Sequence, residues 1–240
     1  MAVSPWTAGS SCVLGSEFTC HTAPGTSRIV PVILPAGASM RMGGPKALCD
    51  FYGRSCLQLA IDACRDARLA APIVVLGFWA NQIKARVRLD GTTVRINDRA
   101  HRGQTSSLKV GLRALPEDSE AFLLYPVDFP LLTAVDIQPL LAAWRRRRRR
   151  ERIFIPSFDS RRGHPVLFDA ALRHAFLRLD DDSPARAVLD VRAAEISYID
   201  HDTPSVLTDM DTPDDYQRCL TEFRRRAMPA AARRRHPHYP

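Results

Sequence analysis

From Ile29 onward the chain reads Ile-Val-Pro-Val-Ile-Leu and then, without a break, Pro35-Ala36-Gly37-Ala38-Ser39-Met40-Arg41-Met42-Gly43-Gly44-Pro45-Lys46. The first run is apolar and rich in β-branched residues, the pattern of a buried strand. The second run is small and flexible and reads as a loop delivered by that strand. Glycines let its backbone approach an anion closely, Ser39 and main-chain N–H groups can donate to one, and Arg41 and Lys46 can neutralise it. By composition this is a phosphate-holding loop. Its spacing excludes two commoner designs, because no Gly-Lys-Ser/Thr ends it and no Gly-x-Gly-x-x-Gly lies within it.

The sequence that follows alternates short apolar strands with helical patterns. Ser55 to Ala67 repeats Leu57, Ile61 and Cys64 at helical spacing behind a capping Ser55, and Ile73-Val74-Val75-Leu76 is the next strand. Asn81 to Leu89 predicts a helix capped by Asn81, followed by a strand at Thr93-Val94-Arg95-Ile96. Leu108, Leu112 and Leu115 mark a third helix, Ala121 to Pro126 a strand, and Thr133 caps a helix through Ile137, Leu140, Leu141 and Trp144. Strands at Ile153–Pro156 and Ile196–Ile199 complete the set. Such alternation predicts a mainly parallel sheet covered by helices on both faces.

At 240 residues the chain fits one domain with tails. Its formal charge of +8 is concentrated in two clusters, Arg145 to Arg150 and the C-terminal Arg224-Arg225-Arg226 with Arg233-Arg234-Arg235. These read as a solvated helix end and a disordered basic tail over 224–240, and without interleaved aromatic residues they do not predict a nucleic-acid partner. The first 27 residues hold one acidic residue, Glu17, and no Lys or Arg. They lack the basic start of a secretory signal and read as a disordered leader to a folded part spanning 28–223. The six cysteines show no C-x-x-C pair and no metal-ligand spacing with histidine, which predicts reduced thiols in a cytoplasmic protein. No apolar run approaches the ~20 residues that cross a bilayer.

Four later stretches carry chemistry. Asn97-Asp98-Arg99-Ala100-His101-Arg102-Gly103-Gln104-Thr105-Ser106-Ser107-Leu108 is a polar loop ending where a helix begins, a natural place for hydrogen bonds to a nucleotide or simply for capping serines. Asp128 stands just beyond the carboxyl end of the Ala121–Pro126 strand, where open α/β sheets place their ligands. Arg161-Arg162-Gly163-His164-Pro165 reads either as an anion-meeting segment or as a hairpin turn with surface arginines. Thr208-Asp209-Met210-Asp211-Thr212-Pro213-Asp214-Asp215-Tyr216 puts carboxylates on a loop that could face Asp128, while Asp211 could equally cap the helix that follows.

Leu-Pro-Ala-Gly-Ala-Ser-Met-Arg-Met-Gly-Gly-Pro-Lys resembles the LAAGxSxRMGxxK signature of the nucleotidyltransferases related to the molybdenum-cofactor cytidylyl- and guanylyltransferases, with Pro35 in place of a small residue. The Asn97 to Leu108 segment is similar to that family's N-x-x-x-x-x-G-x-x-S-S-L, Asp128 and Pro130 to its Gly-Asp-x-Pro with Val127 for the Gly, Arg162 to Pro165 to its RGxP, and Asp209 to Tyr216 to its closing D-I-D-T-P-E-D-Y. Asp181 or Asp182 stands where that family has the Asp of a Gly-Asp-x-Gly-Ala-Arg segment, but the glycines are absent and helix capping is the favoured reading of both.

The resemblance implies a three-layer α/β/α, Rossmann-like fold of the nucleotide-diphospho-sugar transferase type. It implies nucleotide contacts from Leu34, Ala36, Gly37, Ser39, Arg41, Lys46, Asn97, Gly103, Gln104, Ser106 and Ser107, and catalytic roles for Arg41, Lys46 and Asp128. Mg²⁺ would be held by Asp128 with Asp211 and Asp209, and the acceptor by Arg162, Gly163 and His164. The implied reaction moves an NMP from an NTP to a phosphorylated acceptor and releases pyrophosphate. CTP is the favoured donor, because Ala36-Gly37-Ala38-Ser39 looks like the cytidylyl branch; the acceptor would be molybdopterin cofactor, and a molybdoenzyme would receive the product. Two alternatives stay open: a transferase for another acceptor such as a sugar phosphate, and a non-catalytic chaperone module that binds nucleotide or cofactor.

Overall fold

The computed structural model of the chain describes residues 27–227, so the expected leader and the residues from 228 on lie outside the described part. Strands β1 (Ile29–Leu34), β2 (Ile73–Leu76), β3 (Thr93–Ile96) and β4 (Ala121–Pro126) are parallel and ordered β3-β2-β1-β4. The remaining strands are β5 (Ile153–Phe158), β6 (Arg161–Arg162), β7 (Val166–Asp169) and β8 (Ile196–Asp200). Here β7 inserts antiparallel between β4 and β5, while β8 pairs parallel with β5. The sheet is therefore mainly parallel, as the sequence alternation predicts, with β6 and β7 as its antiparallel members. The cause is local: Asp159 and Ser160, at φ 51° and 60°, form a tight reversal after β5 that sends the chain back along it.

The period of two along each strand sorts side chains onto the two faces. Ile29 and Ile33, Val74 and Leu76, and Leu123 and Tyr125 point to one face. They meet α1 (Cys56–Asp66), α2 (Ala80–Arg86) and α4 (Ala134–Arg146) through Leu57, Ile61, Ile83, Ile137, Leu140 and Trp144. Val30 and Val32, Ile73 and Val75, and Phe122 and Leu124 point to the other. They meet α3 (Gln104–Arg113), α5 (Arg173–Leu177) and α6 (Ala187–Asp190) through Leu108, Leu112, Phe176 and Val188. This is the three-layer arrangement the resemblance implies. Full burial of each such side chain contributes roughly 1.5–3 kcal/mol, which is why the two faces hold.

Caps follow the sequence at most helix starts. Ser55 accepts from the amide of Gln58, and Thr133 forms a capping box with Asp136. Asn81 is an exception: α2 begins at Ala80 after Trp79, which places Asn81 inside the first turn. Helix α7 (Pro213–Ala227) packs Cys219, Tyr216, Leu220 and Phe223 against Phe51, Leu131 and Met210. It also takes in Arg224, Arg225 and Arg226, so the helix runs on past the boundary expected at 223. The reason is pairing: Glu222 binds Arg225 and Arg226, and Arg226 donates to Leu131 O and Ser205 Oγ. Among the described residues no helix is long and apolar enough to cross a membrane.

Candidate functional site

Strand β1 ends at Leu34, and the loop behind it lines a cleft of about 510 Å³ together with the ends of β2 and β4 and the start of α3. Leu34, Ala36, Gly37, Ser39, Arg41 and Lys46, all expected at the nucleotide, line it. The loop is pinned from several sides. Ser39 sits at φ 54°, its carbonyl accepts from Met42 N, its hydroxyl accepts from Lys46 N at 3.3 Å, and Trp79 Nε1 donates to Ala38 O at 3.0 Å. A loop held this way is preorganised, so little ordering entropy remains to be lost when an anion binds.

Lys46 is the junction of the charged groups. Its Nζ lies 3.2 Å from Asp128 Oδ2 and 2.5 Å from Asp211 Oδ1, while Arg41 Nη2 lies 2.7 Å from Asp211 Oδ2. Burial acts to lower the Lys46 pKa, but the hydrogen bonds and charges of Asp211 and Asp128 outweigh it and the net shift is upward. The Asp211 carboxyl is held below its usual range, first by the Lys46 hydrogen bond and then by the Lys46 and Arg41 charges.

Asp211 is free for this because it does not cap α7. Thr212 and Asp215 do, with Thr212 Oγ1 accepting from Asp215 N and Asp215 accepting from Thr212 N and Asp211 N. The loop is tied to β4's end by Met210 N donating to Asp128 O at 2.9 Å. Asp209 lines a neighbouring pocket, where burial, with the nearby Asp211 and Asp128 charges, raises its pKa against the pull of Lys46.

The expected nucleotide segment divides in two. Gly103, Gln104 and Ser107 line the cleft. Asn97 and Ser106 do not: both are buried, Asn97 Nδ2 donates to Ser106 Oγ and Ser107 Oγ at 2.9 Å each, and Ser106 Oγ bonds Arg99 O and Gly103 O. Their polar groups are consumed in shaping the turn that precedes α3, because a buried amide without partners would cost more than a solvated one.

Asp181 likewise is not a helix cap. It accepts from Lys109 at 2.8 Å and pairs with Arg102 at 3.4 Å, and Thr105 Oγ1 donates to Ser183 O nearby. The acidic loop thereby straps the first turns of α3. Sequence reasoning missed Lys109, whose position on α3 gave no sign that its partner lay more than seventy residues away.

Arg162, Gly163 and His164 line the second pocket, of about 360 Å³, with Arg161, Phe129, Asp128 and Asp209. Gly163 has no room for a side chain, since a Cβ there would lie 2.4 Å from Val206 O. The His164 ring packs tilted against Phe129, with centroids 5.0 Å apart, and its Nδ1 is buried without a hydrogen-bond partner. Burial lowers its pKa against the opposing pull of Asp128, favouring the neutral ring.

Among the described residues no cluster of three or more His, Cys, Asp or Glu could enclose a metal ion. Asp128 and Asp211 nevertheless converge on one cation, the Lys46 ammonium. Two carboxylates completed by phosphate oxygens suit a hard divalent ion, so the donor set fits one that arrives with a nucleotide.

The sequence profile described as the MobA-like NTP transferase domain matches residues 31–197. The nicotine blue oxidoreductase of Paenarthrobacter nicotinovorans is 31% identical over 198 residues, which cover 80% of this chain and 96% of that one. The crystal structure of the Rv0371c homologue from Mycobacterium sp. strain JC1 superposes with a TM-score of 0.72 at 28% identity, covering 82% of this chain and 98% of that one. The Rv0371c complex with manganese from Mycobacterium tuberculosis H37Rv is similar too, with a TM-score of 0.65 at 25% identity over 80% of this chain and 98% of that one.

Proposed function

The chain belongs to the MobA-like NTP transferase family, and on that premise we propose that it transfers a nucleoside monophosphate, CMP by preference, from an NTP to a phosphorylated acceptor of molybdopterin type. An oxygen of the acceptor's phosphate attacks the α-phosphorus, a new O–P bond forms as the α–β anhydride breaks, and the electron pair leaves on pyrophosphate. A phosphate acceptor already carries its nucleophilic oxygen, so no strong general base is required. The observation that carries the reading is Lys46 bridging Asp128 and Asp211 beside a preorganised Gly-Ser-Arg loop.

In this reading the β1 loop, Ser39 and Arg41 hold the triphosphate, and Gln104 and Ser107 meet the nucleotide from the start of α3. Lys46 and Arg41 neutralise charge that builds on the phosphates. Asp128 and Asp211 hold a divalent ion, Mg²⁺ as expected from the family or Mn²⁺ as in the related complex, and Asp209 belongs to the acceptor side. When bound, that ion supplies Lewis-acid neutralisation at the reacting phosphate. Arg162 and His164 receive the acceptor, and a molybdoenzyme takes the product.

The relative named nicotine blue oxidoreductase favours a second reading, in which a dye such as nicotine blue is reduced as a phosphate-bearing hydride donor seated in the cleft is oxidised, a reduced nicotinamide dinucleotide serving as the probe for such a donor. One experiment separates the two. Purified protein with Mg²⁺, molybdopterin cofactor and CTP, GTP, ATP or UTP in turn is assayed for pyrophosphate, and a parallel sample with reduced nicotinamide dinucleotide and nicotine blue is followed by absorbance. Pyrophosphate with CTP supports the transferase; dinucleotide oxidation without pyrophosphate from any nucleotide replaces it.

A further inference from the structure

We propose that Phe78 is the surface on which the nucleotide's base stacks, giving the cleft an aromatic grip beside its charged one. This rests on the nucleotide reading above and names a contact within it. Phe78 is 53% exposed and lines the same cleft as Gly37, Ser39 and Lys46. Single exposed apolar side chains are ordinary on protein surfaces. Phe78 differs in how firmly the backbone beneath it is held and in being part of the cleft's lining.

The hold comes from Gly77. A Cβ at this position would lie 2.6 Å from Ala36 O and 2.7 Å from Ala100 Cβ, so the chain leaving β2 is pressed between the β1 loop and the turn before α3. On its other side Trp79 donates its indole N–H to Ala38 O, and Phe78 N makes a long contact, 3.5 Å, with Ala36 O. The ring thus stands on a rigid elbow between the two segments expected at the nucleotide.

The cleft's charged groups, Arg41, Lys46, Asp128 and Asp211, serve phosphates and metal and offer a base little. A base needs a flat apolar face, and of the two aromatic side chains that line the cleft, Phe78 and His101, Phe78 is the apolar one. Aromatic side chains stack on every base because every base has a π-face. Phe78 therefore provides affinity, and the choice among bases falls to polar groups such as Gln104 and the main chain.

The test is a calorimetric titration of wild-type protein, Phe78→Ala and Phe78→Trp with CTP and, separately, with inorganic triphosphate, Mg²⁺ present throughout. Phe78→Ala is expected to bind CTP about tenfold more weakly and triphosphate unchanged, with Phe78→Trp restoring CTP affinity. Equal CTP affinity in wild type and Phe78→Ala would overturn the proposal, as would a parallel loss for both ligands, which would indicate a disturbed loop. A wild type that binds neither ligand removes the nucleotide reading itself, and the proposal with it. The side chain's exposure makes folding of the variants a matter of confirming their melting curves.

Discussion

Lys46 pairs with two carboxylates at once, and the proposed chemistry of the cleft rests on that arrangement. Removing Asp128 takes away a proposed ion ligand at a residue that is neither in a core cluster nor a cap. Asp128→Ala is therefore expected to lower metal-dependent turnover on the order of 10²-fold or more while melting as cooperatively as wild type. Wild-type-like turnover in that variant would disprove the assigned site. Gly163 makes a different kind of demand, purely steric. Gly163→Ala drives a methyl into Val206 O and is expected to cost about 1–3 kcal/mol, read as a lowered denaturant midpoint. A neutral effect would mean that the 163 and 206 segments do not meet as described.

At the scale of elements, the informative pieces are the ends of α3 and α7. The first turns of α3 present Gln104 and Ser107 to the cleft, yet their position depends on Lys109, buried and bound to Asp181 and Leu179 O from another part of the chain. Asp181→Ala leaves that ammonium short of its charged partner. It is expected to lower the melting temperature and to weaken nucleotide binding together, since one contact supports both. Intact nucleotide affinity in a destabilised variant would show that the strap is structural only.

The last turns of α7 hold Glu222 between Arg225 and Arg226. The Arg225 hydrogen bond is the main cause that depresses its carboxyl from 4.5 to about 2. A carboxylate depressed in the folded state stabilises it above the unfolded pKa and loses that contribution as pH falls from about 4.5 through about 2. Melting temperatures of wild type and Glu222→Gln should therefore differ at pH 6 and converge toward pH 2. A constant difference across that range would remove the assignment.

For the molecule as a whole, the cleft is built from segments at the ends of β1, β2 and β4 and from the loop before α7, so a ligand there bridges much of the chain. Metal-bound CTP at about a hundred times its dissociation constant should add about 2.7 kcal/mol. For a domain of this size that is a rise of roughly 5–10 °C in a single transition. Two transitions, only one of them shifted, would show that the cleft and the remainder unfold separately.

The order of the elements and the existence of the cleft were legible in the sequence because both depend on local pattern. Apolar runs with period two or 3.6 sort themselves onto faces, and a glycine-rich loop carrying Ser39, Arg41 and Lys46 after a strand has the composition to meet an anion. Gly37, Ser39, Arg41, Lys46, Gln104 and Asp128 were singled out that way and line the cleft, whereas Leu34 came from the family resemblance. Other features required the fold. Asn97 and Ser106 have the right chemistry for a ligand but are spent on each other, and Asp211 rather than Thr212 is released from capping only because Asp215 folds back. Phe78 reads as one more apolar residue until Gly77 is seen wedged between Ala36 and Ala100. The physical reason is the same in each case. Periodicity and residue type determine which face of its own element a side chain takes, whereas its partner is set by contacts between segments far apart in the chain, which only the packed tertiary structure brings together.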